Sequence, residues 1–427
     1  MNDIRISNFK YQKHSVLLTL NLMKESPKIY IALPALNELE NLPYFIHDLQ
    51  QQSFKNYILY VCINQPDEWW NIPEKRNICE NNQQSIQYLK GLKNINIEII
   101  DFSSKGNAWK GKQFGVGWAR KIVMDAINKV ANTNDIVVSI DADTHFNANY
   151  LKSIVHSLQF HQEAMAISLP YYHPLTDNEA ANRAILRYEI YMRYYAINLW
   201  RIASPFSFTA LGSAIAFPVW AYRKIGGISP MKSGEDFYFL QKFCKTAKIL
   251  NWNPEKVYPA ARFSDRVFFG TGPAMIKGNN GDWSSYPIYH YSLFDKIKKT
   301  YKLFPDLYYI DINLPIADFL NEQFRNDKWW LLLRKNFRTQ AHFVNACYEK
   351  LDGLRTLQYL KASQAFIQKR DEICLFEFFE EFYPNAIIQL QLNKAFEFNK
   401  LSADQLNNIR NYLMEIEENY QKPTRHE

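Results

Sequence analysis

The chain has 427 residues, more than one compact domain usually needs, so a core domain with an extension is expected. A hydrophobic fraction of 47% and a charged fraction of 22% exclude a disordered or fibrous chain. The formal charge of +7 suits an anionic membrane surface or a phosphorylated substrate, but no Lys/Arg run interleaved with aromatics is present, which excludes a nucleic-acid partner.

Aromatics make up 15% of the chain, enough to offer sugar-stacking faces, though packing accounts for most such rings. Five scattered cysteines, Cys62, Cys79, Cys244, Cys347 and Cys374, are odd in number and show no CxxC spacing. That argues against disulfides or structural zinc and for a reducing, cytoplasmic compartment. The start of the chain lacks the basic-then-apolar build of a signal peptide. Ile202 to Tyr222 carries only uncharged residues, but Pro205, Pro218 and Gly212 interrupt it too often for a spanning helix. The expected protein is soluble, or at most peripheral to the inner face of a membrane.

The first strand signal is Lys28 to Leu33, ended by Pro34. Asn37 to Gln52 has helical spacing, with Leu39, Leu42, Phe45, Ile46 and Leu49 on one face. Tyr57 to Ile63 and Asn94 to Asp101 are the next strands. A helix over Gly115 to Val130 follows, with Trp118, Ile122, Ala126 and Val130 as its core stripe. Asp135 to Ile140 is a fourth strand, ending at Asp141-Ala-Asp143. This alternation predicts an α/β fold with a mostly parallel, doubly wound, Rossmann-like sheet. Ligands of such sheets bind outside the carboxyl ends of the strands, where Pro34, Ala35 and the acidic motif fall.

Beyond the motif, Ala180 to Leu199 reads as a helix, Thr209 to Phe217 as a strand, and Gly226-Gly227 as a turn. Glu235 to Lys245 is a helix opening on two acids. Asp327 to Leu351 is one long helical pattern, Asp371 to Phe382 another, and Ser402 to Gln405 is a capping box opening a last helix. The expected organisation is an N-terminal segment (1–26), a core domain (27–295) and an all-helical C-terminal extension (296–427).

Two constellations carry chemistry. Asp141 and Asp143, at a strand end, can share a hard divalent cation, Mn²⁺ or Mg²⁺, which prefers oxygen ligands completed by substrate phosphates. Glu235 and Asp236 open a helix whose dipole favours acids, and a carboxylate there can also deprotonate a hydroxyl.

The order of these motifs resembles the family 2 glycosyltransferases of the GT-A fold. The resemblance runs over about residues 27 to 295 and rests on Ile29-Tyr-Ile-Ala-Leu-Pro-Ala-Leu-Asn-Glu38, Ser139-Ile-Asp-Ala-Asp143 and Gly226-Gly227…Glu235-Asp236. It implies a nucleotide-sugar donor, a glycan or lipid-linked acceptor, an inverting transfer, and a role such as cell-envelope polysaccharide biosynthesis. By it, Pro34, Ala35 and Glu38 line the nucleotide pocket, Asp141 binds donor and metal, and Asp143 binds metal. Asp236 is then the catalytic base and Glu235 positions the acceptor. Lys110 or Lys112 would contact phosphate from the loop before the metal strand.

Two departures from the family pattern matter. Asn64 stands where an acid often contacts the base or ribose. The Gln-x-x-Arg-Trp motif of processive members is absent, which favours addition of single residues. Weaker candidates are Arg262 or Arg266 pairing with the diphosphate, His290 as a third metal ligand, and Trp252 and Trp283 as stacking platforms. The Trp329 to Leu333 stripe reads first as packing, and second as a peripheral membrane or dimer contact. Two other functions remain open at this level: a nucleotidyltransferase, disfavoured by the missing Gly-rich loop after the first strand, and a catalytically silent nucleotide- or glycan-binding module.

Overall fold

The computed structural model describes residues 26–265 and 270–422. Its strands are β1 (Ile29–Ala35), β2 (Tyr57–Asn64), β3 (Ile97–Phe102), β4 (Ile136–Ser139), β5 (Thr144–Phe146), β6 (Ile167–Ser168), β7 (Ile215–Pro218) and β8 (Val257–Pro259). Six of them form one sheet in the order β3-β2-β1-β4-β7-β6, while β5 and β8 pair separately. The β3-β2-β1-β4 half is parallel and β7 runs antiparallel to both β4 and β6. The sheet is therefore mostly parallel, as the sequence pattern predicts.

Every residue of β1 is buried. Ile29, Ile31 and Leu33 face one core with Phe45 and Leu49, whereas Tyr30 and Ala32 face another with Val123, Met124 and Phe217. A strand covered on both faces needs an unbroken apolar run, and that is why IYIAL was visible at once.

Helices cover the faces: α1 (Leu42–Gln50), α2 (Arg76–Gly91), α3 (Val116–Val130), α4 (Tyr150–Phe160), α5 (Glu179–Arg201), α6 (Val219–Lys224), α7 (Glu235–Thr246) and α8 (Thr271–Asn279). The core stripe expected on α3 is displaced by one residue. Ala119, Arg120, Val123, Met124 and Ile127 are buried, and Val130 is 60% exposed. A charged residue on the buried face misled the pattern. The strand expected over Thr209 to Phe217 is limited to Ile215–Pro218, because the preceding residues turn to line a cleft.

From Tyr291 onward every described element is helical: α9 (Tyr291–Leu307), α10 (Ala317–Phe324), α11 (Trp330–Asn336), α12 (Gln340–Lys350), α13 (Gly353–Gln364), α14 (Asp371–Phe382), α15 (Pro384–Gln389) and α16 (Ala403–Gln421), with a short 3-10 turn at Phe398–Lys400. The single helix expected over Asp327 to Leu351 is two. Thr339 caps α12 by accepting from the His342 amide at 3.3 Å, which breaks the pattern at Phe337 to Thr339. The Ser402 capping box forms as expected.

These helices pack back on α5. Arg193 on α5 donates to Glu417 on α16 at 2.6 Å, and Arg183 donates to the carbonyls of Phe398, Asn399 and Leu401. Within the stripe at α11, Trp329, Trp330 and Leu333 are buried, while Leu332 is 65% exposed. All five cysteines are free. Among the described residues no helix is long and apolar enough to cross a membrane.

Candidate active site

A cleft of about 250 Å³ opens at the carboxyl ends of β1, β2 and β4. Parallel strands bring Pro34 and Ala35 (end of β1), Asn64 (end of β2) and Asp141 and Asp143 (just past β4) to one rim. The N-terminus of α7 supplies Glu235 and Asp236 from the other side. Gly234, at φ +77°, makes the left-handed step that starts α7 and turns both acids into the cleft.

Arg120 on α3 holds the two sides together. Its side chain is only 3% exposed. It donates to Asp141 Oδ1 at 3.0 Å, Glu235 Oε1 at 3.1 Å, Ser139 Oγ at 2.6 Å and the Gly212 carbonyl at 2.8 Å. Burial opposes its charge, but Asp141, Glu235 and Asp236 outweigh that and hold its pKa above the usual range. A Cβ at position 212 would lie 2.4 Å from the guanidinium, so a larger residue there would have to displace the Arg120 side chain. Sequence reasoning missed Arg120; its one signal is a charge set among apolar residues on the α3 core face.

A second arginine, Arg262, donates to Glu38 Oε1 at 2.6 Å and to Asp143 Oδ2 at 2.7 Å. Asp143 and Glu38 outweigh the opposing effect of its burial, so its pKa too is raised. Glu38, which lines the cleft, is therefore tied to the acidic motif through Arg262. Asn64 also lines it, with Nδ2 donating to the Ala35 carbonyl at 3.0 Å.

Asp236 accepts from the Phe237 amide at 2.8 Å. Burial, then the charge of Glu235, pushes its carboxyl up to about 7, against the opposing pull of Arg120. Such a group is close to half ionised at neutral pH, the range in which a general base works best.

Other expected site residues lie elsewhere. His290 is not at the acidic motif. It caps α9, with Nδ1 on Ser292 Oγ at 2.7 Å and Nε2 on Glu377 Oε2 at 2.8 Å, so both ring nitrogens are engaged within the helical region. Lys110 and Lys112 are exposed and do not line the cleft. Trp283 packs between Gly278 and Arg187, and Trp252 lies under Lys422. Arg266 falls outside the described residues.

Glu38, Asp141, Asp143, Glu235 and Asp236 line this cleft with only Arg120 and Arg262 as lining arginines among the described residues. Asp141 stays 35% exposed. No group of three His, Cys, Asp or Glu side chains converges as a complete metal site among the described residues. The donor set at Asp141 and Asp143 is thus two hard carboxylates, which suits a divalent cation that takes its remaining ligands from substrate oxygens and water.

Residues 136–271 match the model of the glycosyl transferase family group 2. That span contains Asp141, Asp143, Arg262 and the Glu235–Asp236 pair, so fold and site define a glycosyltransferase. Over that span the chain is similar to family 2, which favours glycosyl transfer over nucleotidyl transfer. Among solved structures it is similar to S. aureus TarS 1-349 in complex with UDP-GlcNAc, at 12% identity and a TM-score of 0.38, over 92% of this chain and 91% of that one. It is also similar to the mannosyltransferase PcManGT from Pyrobaculum calidifontis in complex with GDP-Man and Mn²⁺, at 11% identity and a TM-score of 0.38, over 93% of this chain and 88% of that one. At this distance neither likeness speaks to residue roles. No curated protein matches the chain.

Proposed function

We propose that the protein moves one sugar at a time from a nucleoside-diphosphate donor to a hydroxyl on a glycan or lipid-linked acceptor, with inversion and with a divalent cation. The observation that supports this best is the Arg120 bridge, which fixes Asp141 and the Glu235–Asp236 pair in one cleft. One end is then suited to a donor diphosphate and the other to an acceptor hydroxyl.

In this reading the acceptor hydroxyl attacks the anomeric carbon from the side opposite the diphosphate. The new C–O bond forms as the bond to the diphosphate oxygen breaks, and the hydroxyl proton passes to the Asp236 carboxylate. One displacement inverts the anomeric centre. Arg120 keeps Glu235 aimed at the acceptor side, and Arg262 holds Asp143 and Glu38 in place. Asp141 and Asp143 would hold Mn²⁺ or Mg²⁺, which would supply Lewis-acid stabilisation of the departing diphosphate. Such an ion also answers an electrostatic problem, because a cleft with five carboxylates and two lining arginines repels a diphosphate. The chain would work in the cytoplasm, free or against the inner face of the membrane.

The test is a thermal-shift screen of UDP, GDP, CDP and dTDP with and without Mn²⁺, followed by hydrolysis of the matching nucleotide sugars. A ligand that binds only the native state raises its stability by mass action. The expected outcome is a Mn²⁺-dependent shift with one nucleotide that Asp143→Ala abolishes; absence of any such shift would sink the metal-and-donor assignment.

A further inference from the structure

The outer side of the helical extension has no task in the chemistry above. Trp330 and Leu333 bury one face of α11, which turns Leu331 and Leu332 outward. Beside it, the last turn of α9 runs on past Leu307, because the Ile310 amide donates to the Asp306 carbonyl at 3.1 Å. Phe304 and Leu307 are fully buried on its inner side, in the same core cluster as Trp330 and Leu333, and Tyr309 and Ile310 stand on its outer side. Direct bonds join the two stretches. Arg334 on α11 donates to the carbonyls of Leu307 at 2.5 Å and Ile310 at 3.2 Å, and Trp330 Nε1 donates to Asp311 Oδ1 at 3.1 Å. Tyr309, Ile310, Leu331 and Leu332 are each between 43% and 69% exposed. A single exposed apolar side chain is ordinary, but four gathered at one junction mark an interaction surface.

Charge decides what that surface meets. On α9, Lys302 lies two turns before Tyr309 and Lys299 three turns before Ile310, so both share the outer face. On α11, Lys335 falls between the two leucines, with Lys328 one turn earlier. Arg338 follows, and its carbonyl accepts from the Tyr308 hydroxyl at 3.0 Å, which sets it against the end of α9. All five cations are exposed, and none of their side chains has an ionic or hydrogen-bond partner among the described residues. The neighbouring acids are Asp306, Asp311 and Asp327, of which Asp311 is taken up by Arg334 at 3.0 Å. Two copies of such a face would set cations against cations, since a two-fold dimer pairs a patch with itself. An anionic bilayer instead offers an apolar boundary and phosphates together.

We propose that the Tyr309–Ile310 turn and the outer face of α11 dock the protein on an anionic lipid bilayer. The four apolar side chains enter the headgroup boundary, where the Tyr309 ring is buried and its hydroxyl stays wet. The five cations pair with lipid phosphates around them. None of these residues lines the catalytic cleft.

The full-length protein is sedimented with vesicles of phosphatidylcholine alone and of phosphatidylcholine with about one-quarter phosphatidylglycerol, a composition in which basic residues near the surface bind. The expected result is binding to the anionic vesicles only, weakened by high salt. Removing three cations in Lys302→Gln/Lys335→Gln/Arg338→Gln should lower partitioning about a hundredfold. Ile310→Ser/Leu332→Ser should lower it about tenfold. Phe160→Ser, which removes a still more exposed ring on α4, should bind as the parent does. Melting temperature monitors the fold, and if the serine variant melts well below the parent, the charge variant alone decides. The proposal is overturned if the parent binds neither vesicle or both equally, if the charge variant binds like the parent, or if Phe160→Ser is equally impaired. A dimer in sedimentation that Ile310→Ser/Leu332→Ser dissolves would give the face to a second copy and overturn it too. None of these arms reads turnover, so their outcome is independent of the glycosyl-transfer reading.

Discussion

Asp236 is held by the Phe237 amide and crowded by Glu235, so its proton is retained to about pH 7. As a base it acts only when ionised, and turnover should therefore fall as pH drops through about 7. The same shift has a cost for the fold. Between the unfolded carboxyl's pKa of 3.8 and about 7 the native state holds a proton the unfolded chain has lost, so stability falls as pH rises through that window. Asp236→Asn removes both effects. It should lower turnover by about 10²–10⁴-fold while raising the melting temperature at pH 8 and flattening its dependence on pH between 4 and 7. Equal activity, or a melting temperature unchanged at pH 8, would contradict this account of the residue. Arg120 acts in the opposite sense. Replacing it by Met strips Asp141 and Glu235 of their shared buried partner, and breaking such a contact costs about 3–5 kcal/mol, measurable by urea denaturation.

Among elements, those with a local pattern were legible. β1 and β4 are short apolar runs ending at Ala35 and Ser139, and that alone placed the rim of the cleft. α4 could have been found, since Tyr150, Leu151, Ile154, Val155 and Leu158 are spaced as a buried helix face. α2 was harder, because its buried face mixes Cys79, Ile86 and Leu89 with Asn82 and Ser85. These polar residues serve neighbours: Asn82 accepts from the Asn37 amide at 2.8 Å and donates to Gln65 at 2.7 Å. No single-sequence period reports partners that far away. The same limit hid Arg120, whose carboxylates come from β4 and α7, and misplaced His290, whose partner Glu377 lies on α14. The junction of α3 with the loop before α7 depends on backbone contact instead. A Cβ on Gly117 would sit 2.2 Å from the Met231 carbonyl oxygen, closer than atoms can approach. Gly117→Ala should cost about 1–3 kcal/mol by overpacking. It should also weaken substrate turnover, because the displaced loop leads into Gly234 and the two acids. Unfolding and KM measured together would show whether the two effects are linked.

On the scale of the whole molecule, the last helix braces the wall of the cleft from behind. Arg410 on α16 is fully buried; it donates to the His173 carbonyl at 2.8 Å, to Glu189 Oε2 at 3.3 Å and to the Tyr172 hydroxyl at 2.6 Å. Its guanidinium also lies 3.8 Å from the centre of the Tyr172 ring. Residues more than two hundred positions apart thus share one ionic network with Glu189, Arg193 and Glu417. Arg410→Ala would leave the His173 carbonyl unpaired and remove one of the two arginines on Glu189. Removing one member of a buried ion network costs about 3–5 kcal/mol. A mere appendage would lose that energy without consequence for the site. A tail that braces the cleft wall predicts more: Arg410→Ala should impair turnover at temperatures well below its own melting point, with nucleotide binding less affected because Asp141 and Asp143 are held by Arg120 and Arg262 instead. Parent-like turnover in a destabilised Arg410→Ala would show that the helices support the fold without shaping the site.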